Sequence, residues 1–236
     1  MKNKAYIHPA TFFFLLSVFL TFFSWIGSGL GWNGIQNLLS VDGVRWILRH
    51  AQENYMYSPA LAITCMLFFG VGLMAHSGLG EALHRWIFHE RKLSRKQKRA
   101  LVLSGLTACF YISVCCLLIW GPWGIVRSVT GHFEGSPLED GLLVVISVGF
   151  GLSGIVYGFA VDNYRRDKDV YHGMAYLFAT LPEYFVSLFF IEQFFAALDY
   201  SGFLLFLGIA PEWELVIYAI SCIYPIFLAK KYYFLH

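Results

Sequence analysis

Charged residues are scarce in this chain. Asp, Glu, Lys and Arg make up 14% of its 236 residues, whereas hydrophobic residues make up 58% and aromatic residues 19%. The mean hydropathy is +0.59. A soluble domain of this size does not need so much apolar sequence, so the composition predicts a polytopic α-helical membrane protein. The apolar runs are long and do not alternate, which argues against the short alternating strands of a membrane barrel.

Further absences narrow the functional classes. No C-x-x-C pair occurs, and all five cysteines lie in apolar runs, so we expect neither a zinc site nor a disulfide framework. His84 and His89 are five residues apart, unlike the i, i+4 pair of a helical metal site. No nucleophile is paired with a base, which argues against an enzyme. We therefore predict no metal, no cofactor and, at a net charge of +2, no nucleic-acid partner.

The long apolar runs predict six transmembrane helices, at about residues 10–30, 58–79, 101–120, 141–161, 171–198 and 213–228. A short apolar segment at 203–209 cannot cross a bilayer, which takes about 20 residues. The first run is too long for the apolar part of a signal peptide, so we expect a retained helix. Together the spans predict one membrane domain over residues 1–236. Ser40 and Asp42 are expected to cap an amphipathic helix on the outer side.

Basic residues are distributed unevenly between the loops that these spans define. Of the 17 Lys and Arg residues, 14 fall on one side: Lys2, Lys4, Arg85, Arg91, Lys92, Arg95, Lys96, Lys98, Arg99, Arg165, Arg166, Lys168, Lys230 and Lys231. Because cytoplasmic loops are enriched in Lys and Arg, both termini are predicted to be cytoplasmic.

Small residues recur inside two of the spans. Gly70 and Gly72 lie in the second span, and Gly151, Gly154 and Gly158 form a row in the fourth. Such rows let helices approach closely, so we predict tight helix packing there. A nucleotide motif is excluded, since the glycines follow no strand of a βαβ unit.

Acidic residues interrupt the fifth span. Residues 182–202 read PEYFVSLFFIEQFFAALDYSG and carry Glu183, Glu192, Gln193 and Asp199 in an otherwise apolar run. An acid at the centre of a membrane helix costs roughly 2.5–3.5 kcal/mol, and an intramembrane acid is by default a functional-site hypothesis. Glu192 and Asp199 are seven residues apart, so they share a helix face. The sequence at 200–202 predicts a broken helix, of the kind that lines transporter binding sites.

Two interpretations of these polar residues stay open. In the functional one, Glu192 and Asp199 couple transport to protons or cations, or contact a substrate. In the structural one, they make interhelical hydrogen bonds, and Asp199 lies at the outer interface. His76, at the end of the second span, is either a relay or a structural donor. Glu183 lies nearer the cytoplasmic end of its helix.

Several ordered segments resemble one family, the aminobenzoyl-glutamate transporter (AbgT) family of bacterial inner-membrane proteins. The resemblance covers residues 8–80 and 136–204, and rests on LLSVDGVRWIL at 38–48, GVGLMAHSGL at 70–79, GIVYG at 154–158, DKDV at 167–170, and matches at Gln193 and Ser201. It implies a multi-pass protein of the bacterial inner membrane that transports a small organic anion. A homo-oligomer or a complex with a partner membrane protein is expected.

The sequence also departs from the family pattern. Family members are much longer and are built from inverted repeats with re-entrant hairpins. The SSDAG-type hairpin expected between the two blocks is absent, as is the hairpin expected near the C-terminus. Asp199 and Gly202 stand where the pattern has Asn, and Glu192 replaces a small residue.

Two functions are therefore expected. The first is a transporter of small organic anions, with proton coupling as one option. The alternative is a non-transporting scaffold or accessory subunit that retains part of the transporter fold. The predicted substrate or proton pathway comprises Glu192, Gln193, Asp199, Ser201, Glu183 and His76.

Overall fold

A computed structural model of the chain describes residues 7–88, 93–121 and 136–233, with side chains described up to residue 228. Within these ranges the chain forms ten helices and no strand, which confirms the predicted all-α class. They are α1 (Pro9–Gly29), α2 (Val41–Met56), α3 (Pro59–His76), α4 (Leu79–Phe88), α5 (Arg95–Trp120), α6 (Pro137–Ala160), α7 (Asp167–Thr180), α8 (Pro182–Tyr200), α9 (Phe203–Phe206) and α10 (Pro211–Tyr233).

Five stretches among the described residues are long and apolar enough to cross a membrane: α1, α2 with α3, α5, α6 and α10. The pair α7 and α8 makes a sixth if the two helices form one broken span. Lys2, Lys4, Arg91, Lys92 and His89, the side chains of Lys230 and Lys231, and most of the second outer loop (122–135), which includes Arg127, lie outside the described residues.

The predicted fifth span, 171–198, is two helices. α7 ends at Thr180 and α8 begins at Pro182, with Leu181 between them at φ −121° and ψ 47°. Proline lacks a backbone N–H and disfavours the helical conformation in the residue before it, so the chain stops and restarts there. A second break follows Tyr200, as the sequence predicts. There Gly202 adopts φ +74°, which favours glycine, and the short helix α9 follows.

The basic region between the second and third spans is more helical than a loop. Arg85 lies in α4, and Arg95 already begins α5. Ser94 starts α5 with a capping box, in which its hydroxyl accepts from the Gln97 N–H and the Gln97 side chain accepts from the Ser94 N–H. This reciprocal cap satisfies two free N–H groups and explains why α5 begins six residues before the apolar run.

The chain divides into two compact units, each described here by itself. The first comprises the residues up to Ala62 and those from Leu181 onward. In it, α8 packs against α1, α2 and α10. Aromatic rings join α1 to α8: Phe13 and Phe194 have ring centroids 5.7 Å apart, as do Phe14 and Phe190.

The amphipathic helix α2 packs on α8. Ser40 caps it by accepting from the Gly43 N–H at 3.0 Å. Trp46 stacks on Tyr200 at 4.3 Å between ring centroids, and the Tyr55 hydroxyl donates to the Phe185 carbonyl at 3.2 Å. The apolar side predicted for α2 comprises Val41, Val44, Ile47 and Leu48. Ile47 packs against the buried cluster that contains Leu38 and Phe203, whereas the other three stay exposed.

The second unit, Ile63–Thr180, is built around the pair α5 and α6. Two hydroxyls of α5 donate to backbone carbonyls of α6: Ser104 to Ser153 at 2.9 Å and Tyr111 to Val145 at 2.9 Å. Such interhelical hydrogen bonds are the usual polar contacts between membrane helices.

Close packing of α3 on α6 confirms the prediction from the glycine rows. A Cβ added to Gly70 would lie 2.0 Å from the Ser147 carbonyl oxygen, and one added to Gly154 would lie 2.8 Å from the Met74 nitrogen. The Ser147 hydroxyl enters the backbone ladder of α3: it accepts from the Gly70 N–H at 3.0 Å and donates to the Met66 carbonyl at 2.5 Å. These are the two groups that an uninterrupted helix would bond to each other.

An ion pair outside the membrane spans joins the end of α6 to the start of α5. Asp162, two residues past α6, adopts φ +66°, and its carboxylate accepts a hydrogen bond from Lys96. This hydrogen bond and the charge of Lys96 hold the pKa of the Asp162 carboxyl below its ordinary value. A depressed carboxyl pKa contributes stability that is present above the ordinary value, about 3.9, and is lost as the pH falls through the depressed one.

We therefore expect Asp162→Asn to lower the thermal midpoint slightly at neutral pH. The shift should not exceed about 3 °C, because exposed ion pairs are weak. The difference from wild type should shrink as the pH falls below about 5 and disappear once the pH is below the depressed pKa of Asp162. Thermal unfolding in detergent measures it, with Asp140→Asn at the other end of α6 as the matched control. A difference that persists at the lowest pH would contradict the assignment.

Candidate functional site

Glu192 is the buried acid of the first unit. Its side chain leaves α8 towards α10, and the residue is only 6% exposed. The Tyr218 hydroxyl of α10 donates to Glu192 Oε1 at 2.6 Å, and the Ser58 hydroxyl donates to the same carboxylate. Two hydroxyl donors therefore replace the water that an exposed carboxylate would bind.

Both hydroxyls are in turn held by the first turn of α3. Ser58 precedes α3 and accepts from the Leu61 N–H at 3.1 Å. Tyr218 accepts from the Ala60 N–H. The N-terminus of a helix carries unpaired N–H groups and a partial positive charge, which favour a nearby anion. Glu192 is thus connected to this helix end through two hydroxyl groups.

Opposed influences act on Glu192. Burial in an apolar bundle favours the neutral carboxylic acid, whereas the two donors and the helix end favour the carboxylate. Glu192 can therefore exist as the carboxylate or as the carboxylic acid at a modest cost in free energy. Tyr218 suits both forms, because its hydroxyl can donate to a carboxylate or accept from a carboxylic acid.

Asp199 lies seven residues beyond Glu192 on α8, about 10.5 Å along the axis. α8 runs to Tyr200, so the two acids share a helix face as predicted. Asp199 is exposed, and its charge interacts with that of Glu214 on α10, one helical turn before Tyr218. Two acids thus lie at one end of the α8–α10 contact, and Glu192 lies deeper along it.

Gln193 points to another neighbour. Its Nε2 donates to the Ala51 carbonyl of α2 at 2.7 Å. Asn54, one turn further along α2, has a buried Nδ2 without a hydrogen-bond partner among the described residues. Gln193 therefore joins helices, and Asn54 is a donor with remaining capacity for a ligand.

Ser201 is fully buried at the break after α8. Its hydroxyl donates to the Leu198 carbonyl at 2.9 Å, and its own carbonyl accepts from the Gln36 N–H at 3.0 Å. A Cβ on the neighbouring Gly202 would lie 2.3 Å from the Gly34 carbonyl oxygen. These contacts give Ser201 and Gly202 a role in closing the break against the loop after α1.

Glu183 and His76 are separate from Glu192. Glu183 is in the first turn of α8, nine residues before Glu192 and thus on the opposite side of the helix; its Oε2 lies 3.4 Å from His8 Nε2. His76 belongs to the second unit. There its Nδ1 lies 3.3 Å from the Tyr164 hydroxyl, and its ring packs against Tyr164 and Tyr176.

Sequence reasoning missed the partners of Glu192. Tyr218, Ser58 and Glu214 carry the polar contacts, yet each stands in sequence as an ordinary polar residue at or inside an apolar run. One signal was present: Glu214 and Tyr218 are four residues apart, so they share a face of α10.

The protein is a bundle of membrane helices with broken spans and a buried acid. This combination is typical of one class, the polytopic membrane transporters. A family model narrows the class further. The model of the AbgT putative transporter family matches residues 86–216, more than half of the chain. The protein belongs to this family.

A transport protein is among the known proteins that are similar to this chain. The p-aminobenzoyl-glutamate transport protein of Escherichia coli (strain K12) is 25% identical over 151 residues, which is 62% of this chain and 30% of that protein. The chain therefore spans less than a third of the curated relative that it matches. Residues 86–120, which the two blocks of resemblance omit, lie inside the family match, whereas the block at 8–80 lies outside it.

Solved structures share the fold. The YdaH transporter of Alcanivorax borkumensis, described as having an unusual topology, aligns with a TM-score of 0.70 over 86% of this chain and 73% of its own. MtrF of Neisseria gonorrhoeae, whose structure illuminates a class of antimetabolite efflux pumps, aligns with a TM-score of 0.75. The alignment covers 96% of this chain and 81% of MtrF. Both are 17% identical to this chain.

Proposed function

We propose that this protein moves a small organic anion across the bacterial inner membrane and that Glu192 couples the movement to protons. The observation that carries the proposal is a buried carboxyl in an apolar helix, held by Tyr218 and Ser58. Acids in such positions typically mark proton relays and ion pathways.

The proposed proton path follows the contact of α8 with α10. Asp199 and Glu214 attract protons at its exposed end, and Glu192 receives them at the buried level, about 10.5 Å further along the helix axis. The neutral form of Glu192 removes the cost of a buried charge and allows the bundle to rearrange. Gln193 and Ser201 hold α8 in place beside this path.

A curated relative, a p-aminobenzoyl-glutamate transport protein, suggests the substrate class. We propose p-aminobenzoyl-glutamate or a similar amphiphilic carboxylate, with the buried Asn54 amide as one available donor. The positive-inside distribution supports cytoplasmic termini, and the exposed apolar helix faces suit a homo-oligomer or a partner membrane protein.

Flux in proteoliposomes tests the transport function. Purified protein should carry p-aminobenzoyl-glutamate across the bilayer when a pH gradient is imposed, and protein-free liposomes should not. Flux that needs a sodium gradient instead would refute proton coupling but leave transport standing. An absence of flux under both gradients would overturn the proposal.

A second candidate is the non-transporting accessory subunit. It is favoured by the completeness of the Glu192 contacts: Tyr218 and Ser58 both donate to this carboxylate, and all three residues belong to the first unit. Equal flux in protein-containing and protein-free vesicles, together with stable co-purification with a second membrane protein, would favour this function.

A further inference from the structure

A long groove runs along the second unit between α4, α5 and α6. Its volume is about 1150 Å³. Small residues form its floor: Ser104, Gly105 and Ala108 of α5, and Gly149 and Ser153 of α6. Large apolar residues with exposed side chains form its walls, among them Val102, Ile112 and Trp120.

At Gly105, none of the described residues fills the groove. Glycine in a membrane helix ordinarily lets a neighbouring helix approach. A Cβ added to Gly105, however, would meet no atom within 4 Å. The space beside Gly105 is therefore open to a molecule from outside the described part of the chain.

The hydroxyl donors beside the floor are already used within the unit. Ser104 and Tyr111 donate to the carbonyls of Ser153 and Val145, and Ser153 donates to the Gly149 carbonyl. The groove is thus apolar in effect along its length. An acyl chain can bind in such a groove, because it needs only an apolar surface.

Charge is confined to one end of the groove. Arg85 and Lys98 line that end, beside an exposed Trp86. Glu81 pairs with Arg85 at 2.5 Å, so Lys98 supplies the net positive charge. From Lys98 to Trp120, α5 contains 23 residues and rises about 33 Å, close to the hydrocarbon thickness of a bilayer. Basic residues and tryptophan therefore lie at headgroup depth when the apolar part lies in the membrane.

We propose that this groove binds an anionic phospholipid, with an acyl chain along Gly105 and the headgroup phosphate at Arg85 and Lys98. Arginine and lysine at the membrane surface attract anionic headgroups, while the apolar floor accommodates the chain. The proposal is independent of the transport function, since none of these residues contacts Glu192.

Thermal unfolding of the full chain in neutral detergent tests lipid binding. Phosphatidylglycerol and phosphatidylcholine with identical acyl chains are added separately. Phosphatidylglycerol should raise the midpoint by about 5–10 °C near saturation and phosphatidylcholine clearly less. Native mass spectrometry should show the retained phosphatidylglycerol. Equal shifts with the two lipids would overturn the proposed headgroup site.

Two glycine variants separate groove binding from general lipid effects. At Gly105 an added Cβ meets no atom within 4 Å, so Gly105→Phe should place its ring in the groove and lose the midpoint shift. Gly141→Phe, at an equally open position of α6 outside the groove, should keep the shift. Lys98→Gln should lose the preference for phosphatidylglycerol. An undiminished shift in Gly105→Phe, or a lipid-independent dimer that this variant dissociates, would refute the proposal and assign the groove to another occupant.

Discussion

Glu192→Gln should reduce flux driven by a pH gradient to less than about a tenth of the wild-type initial rate. Glutamine has nearly the same shape and can still accept from Tyr218, but it cannot take up or release a proton. A side chain that transfers a proton typically contributes about 10²-fold or more to a rate, so its loss should exceed a tenfold effect. Radiolabelled p-aminobenzoyl-glutamate uptake into proteoliposomes measures the initial rate.

The matched control is Glu212→Gln, which makes the same change at an exposed position in the first turn of α10. It should leave flux near the wild-type value. Tyr218→Phe should give an intermediate rate, because Ser58 still donates to Glu192. Unfolding midpoints establish that each variant is folded. Unaltered proton-driven flux in Glu192→Gln would remove this residue from the coupling mechanism.

Gly70→Ala should destabilise the protein by about 1–3 kcal/mol, the usual range for overpacking. The added Cβ would lie 2.0 Å from a backbone oxygen of Ser147, which cannot rotate away as a side chain can. The helices must therefore separate, and the Ser147 hydroxyl loses its contacts with Met66 and Gly70. Denaturation in mixed micelles measures the loss.

Gly141→Ala provides the control for this substitution. Its Cβ would meet no atom within 4 Å, and alanine has the higher helix propensity, so stability should stay equal or rise by up to about 1 kcal/mol. Equal stability of the Gly70 and Gly141 variants would show that α3 and α6 can separate freely.

Composition and periodicity predicted the helical membrane class and the amphipathic helix after Ser40, and they marked Glu192 as an acid inside an apolar run. These features depend on local sequence and on the burial of apolar surface. The contact of Glu192 with Tyr218 joins residues 26 positions apart on two helices, and no local pattern specifies which faces of α8 and α10 meet.

Other differences between the sequence-based predictions and the structure also have specific causes. Leu181 ends α7 because of the proline that follows, an effect that hydropathy alone does not register. His76 and Glu183 drew attention as polar residues near apolar runs, yet they contact Tyr164 and His8 rather than Glu192. Whether a polar side chain joins a site depends on the helix face that carries it.

The Ser147 hydroxyl has a mechanical consequence for the second unit. It bridges Met66 and Gly70 of α3 from a position on α6. If the two helices slid apart, the Ser147 hydroxyl would lose both partners, and the Met66 carbonyl and Gly70 N–H would have to close up to form their own helical hydrogen bond. The Ser147 hydroxyl therefore links α3 to α6 within the apolar part of both helices. During a conformational change, α3 and α6 should move together as one rigid body, and any bending should occur at their ends.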